Sequence, residues 1–310
     1  MYHVHIVRPC GWGLEAPDVG TYLLLLGFNI GYENGRNHGN PNKQIAISQT
    51  QVSRARIPAA RNYGVDEARK ENATHLMMID PDVAVDAFVG TEPWAKKWWG
   101  EAWGMMLSAA TNWDIPIVVA TPYAGLLHPP KVQVFYRDKT GKNRRYSWED
   151  AGKKSGWESV NAVGSGLMLI DMRVFDTLDK QDDLSHQRRP YFRDLYTDER
   201  ESELKYTPDI YFCERCVEAG IPIWVNWDCW CGHWQFQRVN SPRSVAHQIE
   251  GTEFRGKEDS PVLGNARWDQ ERGSELAEGG FRGTENPSVL DGKNQPDSPF
   301  GCSVCIAPWI

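Results

Sequence analysis

Two aspartates stand one residue apart at the end of an apolar run, His75-Leu76-Met77-Met78-Ile79-Asp80-Pro81-Asp82. In open α/β sheets ligands collect outside the carboxyl ends of strands, so Asp80 and Asp82 would emerge where a substrate sits. Carboxylates placed there suit a hard divalent cation, Mn²⁺ or Mg²⁺, shared with phosphate oxygens. Such an ion neutralises the charge of a diphosphate leaving group as the bond to it breaks. The same Asp-x-Asp also serves as an ordinary turn, with Pro81 fixing it. Further along, Gly164 and Gly166 flank Ser165 just before a second apolar run. That arrangement either lets backbone approach a ligand closely or makes a plain strand-entry turn.

These residues need a scaffold. Short apolar runs alternate with amphipathic segments up to about residue 235, the pattern of an α/β domain with a mainly parallel sheet flanked by helices. Strands are expected over residues 4–7, 44–48, 75–79, 115–120, 132–136, 167–170 and 221–225. The run 163–171 continues into Arg173-Val174-Phe175 in this reading. Helices fit residues 58–71, with Ala60, Gly64, Val65 and Ala68 at helical spacing, and 208–219, stopped by Gly220. Residues 137–145 look like a hairpin around Thr140-Gly141, and the tryptophan-rich stretch 88–106 like an inserted helical segment. The expected division is one domain over residues 1–240, with an insert at about 86–110. A polar C-terminal arm, 241–310, poor in aliphatics, follows.

Four landmarks in order resemble glycosyltransferases of the GT-A fold, the family 2-like group with its phage and bacterial relatives. They are Ala60-Arg61-Asn62 before the strand that ends in Asp80 and Asp82; the loop Val163-Gly164-Ser165-Gly166-Leu167; Asp209 after Thr207-Pro208; and His233 after Cys231-Gly232. The resemblance spans residues 3–235 and implies a nucleotide-diphospho-sugar transferase fold. It implies a nucleotide-sugar donor, UDP-linked in most such enzymes, and Mn²⁺ or Mg²⁺ on Asp80, Asp82 and His233. It puts Arg61, Asn62, Asp80 and the Gly164-Ser165-Gly166 loop beside the donor, and Arg8-Pro9 at the nucleotide base. It makes Asp209 the general base of an inverting transfer. The usual Glu-Asp pair is here Pro208-Asp209, a departure that bears on this assignment. Each position also has a plainer reading: a solvated charge for Arg61, a helix-start acid favoured by the dipole for Asp209, a backbone-bonded histidine for His233. Arg54 and Arg56 are weaker candidates for diphosphate contact.

Composition narrows the remaining classes. At 310 residues, 41% hydrophobic and 24% charged, the chain can build a core without disulfides. A net charge of −7 gives no general attraction to nucleic acid or anionic lipid, although Arg144-Arg145 with Lys139 and Lys142, and Arg188-Arg189 with Arg193, form local basic clusters. The most apolar run, residues 22–30, is too short to span a bilayer. With Met1-Tyr2-His3-Val4 unlike a signal peptide, the expected setting is cytoplasmic, that of a host cell if the chain is phage-encoded. The seven cysteines then read as thiols. Cys213-x-x-Cys216, Cys229-x-Cys231 and Cys302-x-x-Cys305 suggest buried thiols before a zinc set.

Two rivals stay open. One is a nucleotidyltransferase that makes nucleotide-sugars, although Cys10-Gly11-Trp12-Gly13 lacks the Gly-rich basic loop that a triphosphate needs. The other is a non-catalytic nucleotide- or carbohydrate-binding module. For an enzyme, the acceptor hydroxyl is sought on hydroxymethylated bases in DNA, on protein or on glycan, with the tryptophans at 94–103 either a lid or platform for a base or sugar or helices packed on the core.

Overall fold

The computed structural model describes residues 1–11, 16–125, 130–185, 189–197, 204–235 and 237–239. Trp12, Gly13, Arg188, Cys302, Cys305 and the whole expected arm 241–310 lie outside the described residues.

In chain order, the elements that build the site are β1 (Tyr2–Gly11), α1 (Pro17–Arg36), β2 (Ile45–Ser53), α2 (Ile57–Lys70) and β3 (His75–Ile79). There follow α3 (Trp98–Asn112), β4 (Val118–Ala120), β5 (Val134–Arg137), β6 (Asn143–Arg145), β7 (Trp157–Val160) and β8 (Leu167–Asp171). The last are α4 (Arg173–Ser185), α5 (Pro208–Glu218), β9 (Ile223–Asn226) and β10 (Gly232–Gln235). Seven strands form one sheet in the order β7-β9-β4-β8-β3-β1-β2. β1 pairs in parallel with both β2 and β3, and β4 with β9, whereas β8 runs antiparallel between β3 and β4. β7 is the other reversed strand, on the edge beside β9. This is the mixed α/β class read from the sequence, mainly parallel and helix-flanked.

The central strands are apolar on both faces because both faces are covered. Every residue of β3 and β8 is buried. One core cluster joins Met78, Met168 and Ile170 to Val65 and Ala68 of α2 and Phe212 of α5. The other joins Met77, Ile79 and Leu169 to Tyr22 and Leu26 of α1 and Trp98 of α3. Helix α2 lies close on β1 because Gly64 has no side chain: a Cβ there would meet Val7 Cγ1 at 2.5 Å.

The apolar run 22–30, too short to span a bilayer, lies within α1, whose inward stripe is Val19, Tyr22, Leu26 and Ile30. Arg173-Val174-Phe175 does not prolong β8; the strand ends at Asp171, whose carboxylate accepts the Arg173 amide as α4 begins. The insert is helical only from Trp98, and Trp98, Trp99 and Trp103 are buried in the core rather than presented as a platform.

Candidate active site

Backbone hydrogen bonds fix the turn after β3. Asp80 N donates to Gly166 O (2.8 Å), Ala16 N to Pro81 O (2.6 Å) and Trp234 N to Asp82 O (2.7 Å). Three separate segments thus hold the acid pair at the carboxyl edge of the sheet.

Arg61 rises from α2 into this edge and is 3% exposed, not a solvated charge. Its Nη2 donates to both carboxylate oxygens of Asp80, at 3.0 and 2.9 Å, and its Nη1 donates to Oδ1 of Asp209. One guanidinium therefore ties the end of β3 to the first turn of α5. Burial works against the Arg61 charge, but Asp209 and Asp80 more than offset it and hold the group cationic. Burial pushes the Asp80 carboxyl up to about 6, with Arg61 pulling it back.

Asp209 Oδ1 also accepts the Ser165 hydroxyl at 2.7 Å. No described residue bonds Oδ2, so one oxygen is positioned by donors and the other is open to a proton. The helix that carries it starts at Thr207-Pro208 and buries Cys213 and Cys216 on its inner face. Burial pushes the Cys213 thiol up to about 12, which keeps it uncharged.

Asp82 and His233 form a second pair, with Asp82 Oδ2 3.1 Å from His233 Nε2. The Asp82 side chain is 42% exposed. A carboxylate oxygen and an imidazole nitrogen side by side suit two ligands of one hard divalent ion. Asp80 sits apart from them on Arg61, and no group of three His, Cys, Asp or Glu side chains is gathered for an ion among the described residues. The fit is thus a two-ligand, open one, with solvent or phosphate oxygens filling the remaining positions.

The glycine loop answers first to a residue the sequence did not point to. A Cβ on Gly164 would lie 2.1 Å from the Tyr123 hydroxyl, and one on Gly166 would lie 3.1 Å from the same ring. Tyr123 is buried, and its ring packs edge-on against His233 at 5.2 Å. It therefore links the loop to the Asp82–His233 pair.

Asn62 is occupied by backbone. Its amide donates to Pro58 O and Phe192 O and accepts from the amides of Tyr191 and Phe192, pinning that loop to α2. The same loop carries Asp194 into a cavity of about 760 Å³ that Pro9, Arg56, Arg61, Asp80, Asp82 and Asp209 also line. Arg8 precedes Pro9 on β1 and is partly buried. A second cavity, about 330 Å³, opens on the other side of Asp209 and includes Gly164. A third, about 550 Å³ and lined by α1 and Trp99, lies away from this chemistry.

No protein-family model matches the chain, and no curated protein does. Solved structures with some likeness include A197 from STIV, at 15% identity, 76% of this chain, 86% of that one and a TM-score of 0.41. GalNAc-T7 with UDP, GalNAc and Mn²⁺ matches at 13% identity over 81% of this chain and 48% of that one, TM-score 0.38. UDP-glucose pyrophosphorylase complexed with UDP-glucose matches at 11% identity over 81% and 97%, TM-score 0.39. No helix among the described residues is long and apolar enough to cross a membrane.

Proposed function

We propose that the chain is a metal-dependent glycosyltransferase that moves a sugar from a nucleotide-sugar, UDP-linked, to an acceptor hydroxyl. The observation that carries this reading is that Asp209 stands in the wall of two cavities at once while Arg61 ties it to the Asp80 turn. A base that serves transfer must face the acceptor on one side and the donor's anomeric carbon on the other.

The larger cavity takes the donor. Pro9 lies at its β1 end, towards the nucleotide, and Arg56 and Arg61 supply positive charge. Asp82 and His233 would hold Mn²⁺ or Mg²⁺, which would offset the negative charge of the diphosphate. The acceptor oxygen bonds to the anomeric carbon as the carbon–diphosphate oxygen bond breaks. Its proton passes to Asp209 Oδ2, and the nucleoside diphosphate leaves with the bonding pair. Attack from the Asp209 side, opposite the leaving group, inverts the anomeric centre. Ser165 and Arg61 keep the Asp209 carboxylate pointed for that role.

The acceptor is a hydroxyl on a soluble or macromolecular partner: a hydroxymethylated base in DNA, a protein or a glycan. The test is a donor panel read by nucleotide release with and without Mn²⁺. Mn²⁺-dependent release of UDP from a UDP-sugar supports transfer. Pyrophosphate release from a nucleoside triphosphate and a sugar phosphate identifies a nucleotidyltransferase instead, and binding without turnover identifies a module.

A further inference from the structure

The smaller cavity has a charge pattern that the proposed reaction leaves unexplained. It is lined by Phe135, Asn143 and Arg145 of the β5–β6 hairpin, by Lys205, Tyr206 and Thr207 before α5, and by Asp209. Two arginines of the hairpin are paired, Arg137 with Glu214 at 2.7 Å and Arg144 with Asp138 at 2.9 Å, and Arg189 pairs with Asp182 at 2.8 Å. Of the basic clusters seen in the sequence, Arg144 and Arg189 are thus held by acids. Arg145 and Lys205 are the cations in the lining of the cavity itself. Among the described residues neither has a carboxylate at ion-pair distance.

Both cations are instead seated on rings. Arg145 lies over Phe135 at 5.1 Å and Lys205 over Tyr206 at 5.2 Å. A ring face attracts a cation without neutralising it, so the charge stays available to a ligand. Arg145 keeps an exposed side chain, and partial desolvation of its guanidinium pulls it below its ordinary value. The acid in this wall is Asp209, which shares the Arg61 guanidinium with Asp80.

A further polar atom is unsatisfied here. Asn143 donates its amide N–H to Glu214 at 2.6 Å, which fixes the orientation of the group. Its Oδ1 is then a buried acceptor with no partner among the described residues. Such an atom calls for a donor from whatever fills the cavity.

We propose that this cavity is the acceptor subsite and that the acceptor bears an oxyanion, phosphate or carboxylate, bound by Arg145 and Lys205. A hydroxyl of the same molecule satisfies Asn143 Oδ1, and the reacting hydroxyl meets Asp209. The idea rests on the transferase reading, because only that reading makes the cavity an acceptor site.

The test uses matched probes that differ in charge, with UDP and Mn²⁺ present to fill the donor cavity. They are 5-hydroxymethyl-2′-deoxyuridine 5′-monophosphate against its nucleoside, and glucuronate against glucose, titrated calorimetrically into the full chain. The charged member of at least one pair should bind tenfold or more tighter, and which pair responds tells phosphate from carboxylate. Arg145→Gln with Lys205→Gln should erase the difference, whereas Arg145→Lys should keep part of it. Equal affinity within both pairs, or a difference that survives the double substitution, overturns the proposal. If UDP release in the donor panel is normal while the pairs do not differ, this inference alone fails. Charge preference in a chain that releases no nucleotide would remove the acceptor role together with the transferase reading.

Discussion

The Ser165 hydroxyl donates to the same oxygen of Asp209 that receives Arg61, at 2.7 Å, leaving the other oxygen clear. A carboxylate held in this way has one lone-pair edge fixed by the protein and one edge presented to the cavities. The arrangement separates positioning from proton transfer within one side chain.

Asp209→Asn should therefore lower kcat by about 10²–10⁴, the usual worth of a general base, with little change in donor affinity. Ser165→Ala should cost much less. Steady-state kinetics and thermal melting on the same samples decide the matter. If Asp209 only starts a helix, the variant keeps its rate and melts slightly lower.

Replacement of Arg61 should act on the fold more than on any single kinetic constant. Arg61→Met leaves Asp80 and Asp209 without their shared partner, and breaking a buried pair on one side costs about 3–5 kcal/mol. Arg61→Lys should recover only part of this, since one ammonium cannot span both acids as the two guanidinium arms do. Urea unfolding at pH 7 measures both. A loss under about 1 kcal/mol for Arg61→Met would contradict the bridging role.

Asp82→Ala and His233→Ala should each weaken Mn²⁺-supported UDP binding, measured calorimetrically, and Asp82→Ala should leave the melting temperature near the parent's, whereas His233→Ala also removes a buried ring packed on Tyr123. Asp82 is partly exposed, and strand-end polar groups contribute little to the core. Excess chelator should mimic both variants. Turnover that persists in chelator would remove the metal from the mechanism.

Stability should fall on mild acidification through His75. Burial pulls this imidazole down to about 4, with Arg173 adding to the shift and Asp171 opposing it. Between pH 6.5 and 4 the unfolded chain binds a proton at this residue that the folded chain refuses, so stability rises with pH across that window. The contribution is on the order of 3 kcal/mol, complete above pH 6.5 and lost as the pH falls towards 4. His75→Gln should flatten this limb of the stability profile. An unchanged slope in the variant would show that other groups set it.

What the sequence revealed follows from what kind of physics placed each residue. β3 was legible to the residue because four successive apolar side chains after His75 lead into a turn. α5 and α2 were legible because proline near the start and a buried small-residue stripe are local signals. α1 was not, since four consecutive leucines, residues 23–26, blur its inward stripe, and its glycines read as breaks. Asp80, Asp82, Asp209, Ser165 and Arg61 could be named from order and spacing, and the structure brings all five to one edge. Their pairing could not, because Arg61 reaches across from a different helix. Tyr123 was invisible for the same reason: its reach to Gly164 and His233 exists only once the strands are side by side. The meeting of Arg145 and Lys205 in one cavity wall likewise emerges only once the hairpin and the segment before α5 lie side by side.

The turn from Asp80 to Asp82 is fastened at all three of its carbonyls, by Val83, Ala16 and Trp234. Its shape is thus settled before any ion arrives. Binding there would order side chains and water but almost no backbone, so its entropy change should be dominated by released solvent. The amides of Ala16 and Trp234, which close the turn from outside, should then exchange their protons slowly whether or not the ion is present.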